Sequence, residues 1–310
     1  MNDVYCGYFD HNYLPRALLT IRSLRLFDTS TPIYILALSD LCETILNELA
    51  LPNVKVIPLR ALEAAYPELD ALKPTRTRVE YYFTLTPYLP HFIFASTPAG
   101  RVTYIDMDLY FFSSPKPVLS ALGEASVAIT PHRFSAGYRH HFVFGFFNVA
   151  WITFRRCAEG LECLDAYKAD CTAWCYDRPE EGRFADQKYL DSWPRRYPML
   201  KVIEHKGVNL APWNVDNYEL RTKHQKVLVD GDPLVFYHFT GVKVQPDGSG
   251  RVFVPPQPGP SKEVLVRHVV RPYERRLETQ RDMLHRRFPA LVTAQAELRY
   301  SPAPVAAGES

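Results

Sequence analysis
Between Val4 and Leu69 the chain alternates between two periods, and no other feature restricts its fold as much. Val4–Phe9, Pro32–Leu38 and Val54–Pro58 are short apolar, β-prone runs. After the first run, Leu14–Phe27 sets Leu18, Ile21, Leu24 and Leu26 on one helical face, with Asn12 available as a cap and Pro15 tolerated in the first turn. Asp40–Leu49 predicts a second helix and Arg60–Leu69 a third. Strands joined through helices must run parallel, so this rhythm predicts an α/β chain with a mostly parallel central sheet flanked by helices. In such sheets ligands sit outside the carboxyl ends of the strands.

A later strand ends where that rule places a site. Val102-Thr103-Tyr104-Ile105 is followed by Asp106-Met107-Asp108 and then by a second apolar run, Leu109–Phe112. Two ionised carboxylates between buried strands are costly unless donors or a cation compensate them. A divalent ion held by such a pair points to chemistry on phosphates. The chain carries its own control in Asp230-Gly231-Asp232, whose central glycine and following Pro233 predict a solvated turn.

Two further polar features keep the same company. His238 closes the apolar run Pro233–Tyr237, and Gly241 permits a close backbone approach three residues later. Asp186-Gln187 is predicted to open a helix over Asp186–Trp193, where Asp186 serves equally well as an N-cap. Two carboxylates and one imidazole suit manganese, which accepts mixed oxygen and nitrogen donors; magnesium, preferring oxygen alone, is the alternative ion. Lys206–Asn214 contains Trp213, which reads equally as a sugar platform and as a core anchor, while His140 and His141 read as loop residues.

The middle of the chain is less regular. Thr75–Tyr88 predicts a helix crowded with aromatics, Ala125–Pro131 and Phe146–Phe154 predict strands, Ala158–Ala173 a helix, and Leu234–Phe239 a last strand. The 310 residues accommodate one large α/β domain or two small ones, with an ample core, the chain being 47% hydrophobic. Neither G-x-G-x-x-G nor a P-loop occurs, which disfavours dinucleotide oxidoreductases and P-loop ATPases. Cys6, Cys42, Cys157, Cys163, Cys171 and Cys175 lack C-x-x-C spacing and are expected to be free thiols. With no membrane-spanning apolar run and no signal-like segment at Met1–Tyr13, the expected location is cytoplasmic.

With these residues in view, the chain resembles the GT-A nucleotide-sugar glycosyltransferases, in particular the retaining, glycogenin-like branch and its bacterial relatives. The resemblance covers roughly Val4–Val244. It rests on Asp10-His11-Asn12-Tyr13, Tyr104–Asp108, Phe147-Asn148-Val149, Ala185-Asp186-Gln187 and His238-Phe239-Thr240-Gly241, in that order. It implies a GT-A (Rossmann-like) fold and transfer of a hexose from a nucleoside diphosphate sugar, with UDP the expected carrier, to a saccharide or related acceptor with retention. Asp106, Asp108 and His238 would be the metal ligands, with Asp106 also near the ribose. Gly7, Tyr8 and Phe9 would form the nucleobase pocket, Tyr8 stacking on the base. Asn148, Asp186 and Gln187 would contact donor sugar and acceptor. Gly241 would let backbone approach the diphosphate. Arg78, in competition with Arg76, would be the basic phosphate contact.

The chain also departs from the family pattern. Val244 stands where the family has a lysine, with Lys243 one residue early, so either the loop is re-registered with Lys243 as the diphosphate contact or Lys243 no longer touches the β-phosphate. Val149 replaces the usual small residue after Asn148. Two other functions are weighed. Phosphohydrolases of the haloacid-dehalogenase type also use Asp-x-Asp at a strand end, but near the start of the chain and with a small β-branched residue where Tyr110 stands here. A non-catalytic nucleotide-sugar binding module would have little use for a metal triad.

The resulting division is a GT-A domain over 1–245, a Pro/Gly-rich linker over 246–261, a basic helical extension over 262–300 and a disordered tail over 301–310. Lys262–Phe288 carries eight Lys and Arg against four acids. That face either packs back on the domain through Val266, Val270, Leu277 and Leu284 or lies against an anionic membrane at the inner face. A net charge of +2 gives no support for a nucleic-acid partner.

Overall fold
The computed structural model describes residues 2–244, 250–252, 254 and 259–300, and side chains within this set except those of 243, 244, 250, 251 and 295–300. The expected disordered tail and most of the Pro/Gly-rich linker therefore lie outside the described residues. Strands β1 (Asp3–Phe9), β2 (Ile33–Ala37) and β3 (Val54–Pro58) are joined by helices Leu14–Arg25 and Asp40–Leu49. They continue with β4 (Arg101–Ile105), β5 (Leu109–Phe111), β6 (Val127–Pro131), β7 (Phe147–Arg155) and β8 (Lys201–Val202). A seven-stranded sheet runs in the order β3-β2-β1-β4-β7-β6-β8. In it β7 is antiparallel to both its neighbours, β4 and β6, and the other pairings are parallel.

Alternation along the strands gives the sheet two buried faces. Val4 and Cys6 of β1, Tyr34 and Leu36 of β2, and Val102 and Tyr104 of β4 join one apolar cluster. Tyr5 and Phe9, then Ile33, Ile35 and Ala37, and Ile105 join the cluster on the other side. Helices Arg78–Ser96 and Ala158–Ala173 pack together over the first face. The order places β2 and β4 on opposite sides of β1, so the chain changes direction beside β1. A crevice outside the carboxyl ends of β1 and β4 follows from that switch.

Several local expectations are corrected. The helix expected over Thr75–Tyr88 is Arg78–Ser96: a capping box between Thr77 and Glu80 delays its start, and tertiary packing carries it past Pro87 and Pro90. Helix Leu14–Arg25 has no side-chain cap: its N-cap position is Tyr13, and the Asn12 side-chain Nδ2 donates to Asp10 Oδ2 instead (3.2 Å). The helix expected over Asp186–Trp193 is a 3-10 turn, Lys188–Ser192, followed by the short helix Trp193–Arg196.

Beyond the main sheet, β9 (Leu220–Lys223), β10 (Lys226–Val229) and β11 (Asp232–Pro233) form a small antiparallel sheet. The last expected strand shortens to β12 (Phe236–His238), which pairs with β5. Trp151 stacks on Phe236 (5.6 Å, 10°), and Phe111 packs against both, pinning that pair to the sheet. Truncating a buried Phe such as Phe236 to Ala typically costs about 3–5 kcal/mol.

Of the C-terminal helices, Pro260–Leu265 and Arg271–Arg287 are linked at Val266–Val270 by a π-helical turn, and Pro289–Tyr300 follows after Phe288. Leu284, Phe288 and Leu291 enter the same cluster as Leu14 and Leu18, and Tyr273 stacks on Phe239 at 3.6 Å. No helix among the described residues is long and apolar enough to cross a membrane.

Candidate functional site
The site grows out of the β4–β5 connection. Asp106 follows the last residue of β4, with its amide donating to Ala150 O (3.1 Å). Met107 turns into the core, and Asp108 immediately precedes β5. Gly7 makes room for this turn: a Cβ there would lie 2.6 Å from both Ile105 O and Met107 Sδ. Pairing of β12 with β5 sets His238 opposite Leu109, and the Phe239 amide donates to Asp108 O (2.9 Å). The register of two three-residue strands thus carries a histidine from position 238 to a carboxylate at 108.

His238 Nε2 lies 3.1 Å from Asp108 Oδ1 and 3.8 Å from Asp106 Oδ2. One potential ligand atom from each of the three residues falls within 4.8 Å of the others. The remaining carboxylate oxygens are occupied. Tyr104 donates to Asp106 Oδ1 (3.0 Å) and Tyr13 to Asp108 Oδ2 (3.1 Å). Each acid is thereby oriented by a tyrosine and turns one oxygen toward the imidazole, the outer-shell arrangement a metal site needs. His238 Nδ1 has no hydrogen-bond partner among the described residues, and the ring packs edge-on to Trp213 at 5.2 Å.

Charge in this cluster is unbalanced. Burial raises the Asp106 carboxyl above its ordinary value; His238 opposes that and Asp108 adds to it. For Asp108 burial also acts upward, but His238, Tyr13 and Arg16 outweigh it and hold the group low. Burial works against a charged His238, yet the two acids raise it above its usual range. Two acids face one imidazole, and a divalent cation is the counter-charge that this donor set fits.

A cavity of about 690 Å³ opens over the triad. Its lining includes Tyr8 and Phe9 at the end of β1, whereas Gly7 is buried and does not line it. Tyr8 packs on Tyr104 (5.7 Å), and its hydroxyl lies 2.8 Å from Thr86 Oγ1. Thr86 in turn donates to Asp186 Oδ2 (2.7 Å). Asp186 is buried and not a helix cap; loss of solvent, opposed by the Thr86 hydrogen bond and aided by Asp106, pushes its carboxyl up to about 7.

Opposite these residues, Asn148 Nδ2 donates to Gln187 Oε1 (3.0 Å) and to His132 Nε2 (3.2 Å), while Gln187 donates to Phe144 O (3.0 Å). Arg78 lines the cavity; its competitor Arg76 is buried and donates to Thr84 Oγ1 and Thr172 O. Gly241 adopts φ +66°, beside the cavity-lining Thr240. The side chain of Lys243 lies outside the described residues.

Sequence reasoning missed much of the wall. Phe134, His141, Phe144 and Phe184 line it together with Trp213, whose indole donates to His132 O (3.0 Å). His132 stacks on Phe134 at 4.5 Å, and burial pulls it down to about 3, so it is neutral. The available signal was the aromatic density of Phe142–Phe147, whose Phe142, Phe144 and Phe146 alternate as in a strand although Ala136–Phe144 is a 3-10 helix. Tyr13 was marked only as part of the Asp10–Tyr13 motif and Thr86 not at all, since each acts through a contact distant in sequence.

No family model matches the chain. It is 32% identical over 256 residues to the uncharacterized protein YfnF of Bacillus subtilis (strain 168), spanning 79% of this chain and 83% of that one. The uncharacterized protein YfnD of the same organism is 30% identical over 213 residues, spanning 67% and 68%. Among solved structures, galactosyltransferase LgtC in complex with donor and acceptor sugar analogs is similar at a TM-score of 0.52 and 15% identity, over 79% of this chain and 90% of that one. An active-site mutant of LgtC gives a TM-score of 0.50 at the same identity and coverage.

Proposed function
The chain belongs to the family of the Bacillus subtilis proteins YfnF and YfnD and has the GT-A fold, and from that premise we propose that it is a metal-dependent glycosyltransferase. It moves a hexose from a nucleoside diphosphate sugar, UDP being the expected carrier, to a saccharide or related acceptor. The observation that carries this reading is the triad at the carboxyl ends of β1 and β4, where each tyrosine-oriented acid turns one oxygen toward His238. The solved structure of LgtC with donor and acceptor sugar analogs supports the same assignment.

In this reading Asp106, Asp108 and His238 hold manganese, or magnesium in its place. When bound, the ion supplies Lewis-acid neutralisation of the charge that grows on the departing diphosphate. Arg78 adds positive charge at the cavity rim, and Lys243 is assigned the same duty from the following loop. Tyr8 and Phe9 floor the nucleoside end of the cavity, and Gly241 lets the β12 loop approach the diphosphate. Asn148 and Gln187, locked to each other, present fixed amides to sugar hydroxyls, while the aromatic wall with Trp213 offers apolar faces to the rings.

The transfer is expected to retain anomeric configuration. A covalent route needs an ionised carboxylate as nucleophile. Asp186, held by Thr86 and pushed up to about 7, is only partly ionised at neutral pH. Same-face attack, with Asp186 serving as a hydrogen-bonding partner for the donor sugar, is the better fit to that environment. The location consistent with this function is cytoplasmic.

Isothermal titration of UDP with and without manganese, on the native chain and on Asp108→Ala, tests the reading. Binding that requires manganese and vanishes in the variant supports it, and a donor screen by UDP release then identifies the sugar. Failure to bind UDP or any other nucleoside diphosphate would remove its main support. Manganese-dependent binding without turnover on any donor would leave a binding module instead.

A further inference from the structure
A second cavity, of about 560 Å³, lies between helix Leu14–Arg25 and helix Arg271–Arg287, outside the site described above. The first helix lines it at helical spacing through Leu19, Arg22, Ser23 and, just past its end, Leu26; the second contributes Arg275, Arg276, Thr279, Gln280 and Met283. Three guanidinium groups converge on it, and no carboxylate is among its lining residues. None of the three has a carboxylate within ion-pairing distance among the described residues. Of the acids on the same helix, Glu274 accepts the Val252 amide (3.0 Å), Asp282 pairs with Arg281 (2.9 Å), and Glu278 does not line the groove.

The hydrogen-bond inventory of this groove is one-sided. Arg22 donates to Gln280 Oε1, which fixes the amide orientation and leaves Nε2 the free end. Gln280 is 97% buried (3% exposed), and Nε2 has no partner among the described residues. Arg276 spends one N–H on Pro272 O (3.0 Å) and lies 5.7 Å over the Tyr110 ring, which keeps its guanidinium over the groove. The Ser23 hydroxyl is already committed to Thr20 O and to the Phe111 amide, and Thr279 donates to Arg275 O. Partial burial also lowers Arg22 below its ordinary value, a penalty that a bound anion would offset. Guanidinium forks with no acidic partner match the geometry of phosphoryl oxygens.

We propose that this groove binds a phosphoryl anion, gripped by Arg22, Arg275 and Arg276, independently of the nucleotide-sugar site. The apolar edge formed by Leu19, Leu26 and Met283 admits a hydrophobic body attached to that phosphoryl group, so both a free phosphate compound and a lipid headgroup share the required chemistry.

The test uses the full chain in metal-free buffer with EDTA, so that the nucleotide site is not charged with metal. Titration of inorganic pyrophosphate is compared between the native chain, Arg275→Gln/Arg276→Gln, and Arg267→Gln/Arg271→Gln, the last removing the same charge outside the groove. Co-sedimentation with vesicles of phosphatidic acid and phosphatidylcholine (roughly 1:4), against phosphatidylcholine alone, distinguishes a headgroup from a free anion. The expected result is at least about 10-fold weaker binding of pyrophosphate or of acidic vesicles in the groove variant only. Thermal stability and manganese-dependent UDP binding should stay at native level in that variant, since both arginines are exposed. Failure of the native chain to bind either probe would overturn the proposal, as would equal losses in both double variants.

Discussion
The chain writes the same three-residue pattern twice, at Asp106-Met107-Asp108 and at Asp230-Gly231-Asp232, and the fold gives the two copies opposite environments. The second copy is an exposed hairpin turn between β10 and β11, with Asp230 at φ +49° and Gly231 at φ +94°. Its acids are met by ordinary donors: Asp230 accepts the Glu219 amide (2.7 Å) and the Lys206 ammonium (3.0 Å), and Asp232 accepts the Lys206 amide (3.2 Å). Those contacts hold Asp230 below the usual carboxylate range. In the first copy, burial raises Asp106, and the charge is left short of a counter-ion. A carboxylate pair becomes a candidate metal site when its desolvation is uncompensated, whatever its spacing in sequence.

The widest separation between the two copies should come from removing one acid in each. Asp108→Ala is expected to lower glycosyl transfer by roughly 100- to 1,000-fold and to abolish the response of UDP binding to manganese, measured by UDP release and by titration calorimetry. A variant that kept both would erase the distinction. Manganese at about 100 times its Kd should stabilise the native chain by about 2.7 kcal/mol in thermal unfolding and leave Asp108→Ala unmoved.

Next in size is the orienting shell. Tyr13→Phe removes the hydroxyl that fixes Asp108 Oδ2, and manganese affinity should drop about 10- to 100-fold with little change in unfolding temperature. An unchanged affinity would mean that β5–β12 pairing alone orients Asp108.

Asp186 extends the comparison to a third acid. Its folded-state value of about 7 lies above the ordinary 3.8, so the native chain holds a proton that the unfolded chain has released. Stability should therefore fall as pH rises between about 4 and 7, by on the order of a few kcal/mol from this group, and the penalty should persist above that window. Asp186→Asn should flatten the slope in pH-dependent denaturant titrations. A slope identical to that of the native chain would show that Asp186 is not desolvated.

The smallest effect belongs to the second copy. Asp230→Ala should change transfer less than about 2-fold and stability by less than about 1 kcal/mol, because both of its partners, the Glu219 amide and the Lys206 ammonium, are solvent-exposed. A large loss of transfer there would break the comparison from the other side.

Much of this was legible in the residues. Short apolar runs and helical spacing are local properties, so β1, β2 and β3 and the helices between them follow from Val4–Leu69 alone. Asp106 at a strand end and His238 at the end of an apolar run could be singled out for the same reason. The errors fell where tertiary contacts compete with local preference. Packing carries Arg78–Ser96 past two prolines and Asp186 is bound by Thr86 of that helix, whereas Asn12 is a local exception that bonds within its own turn to Asp10.

The sequence by itself determined the α/β alternation, the parallel sheet and the presence of acids at a strand end, because these depend on neighbours within a few positions. Only the tertiary structure decided how far the Asp106/Asp108 pair would be desolvated, that β12 would bring His238 beside Asp108, and that Tyr13 and Tyr104 would each claim one carboxylate oxygen. Those outcomes depend on strand register and burial across separations of two to about a hundred and thirty residues, and the charge balance they set has no counterpart in local sequence.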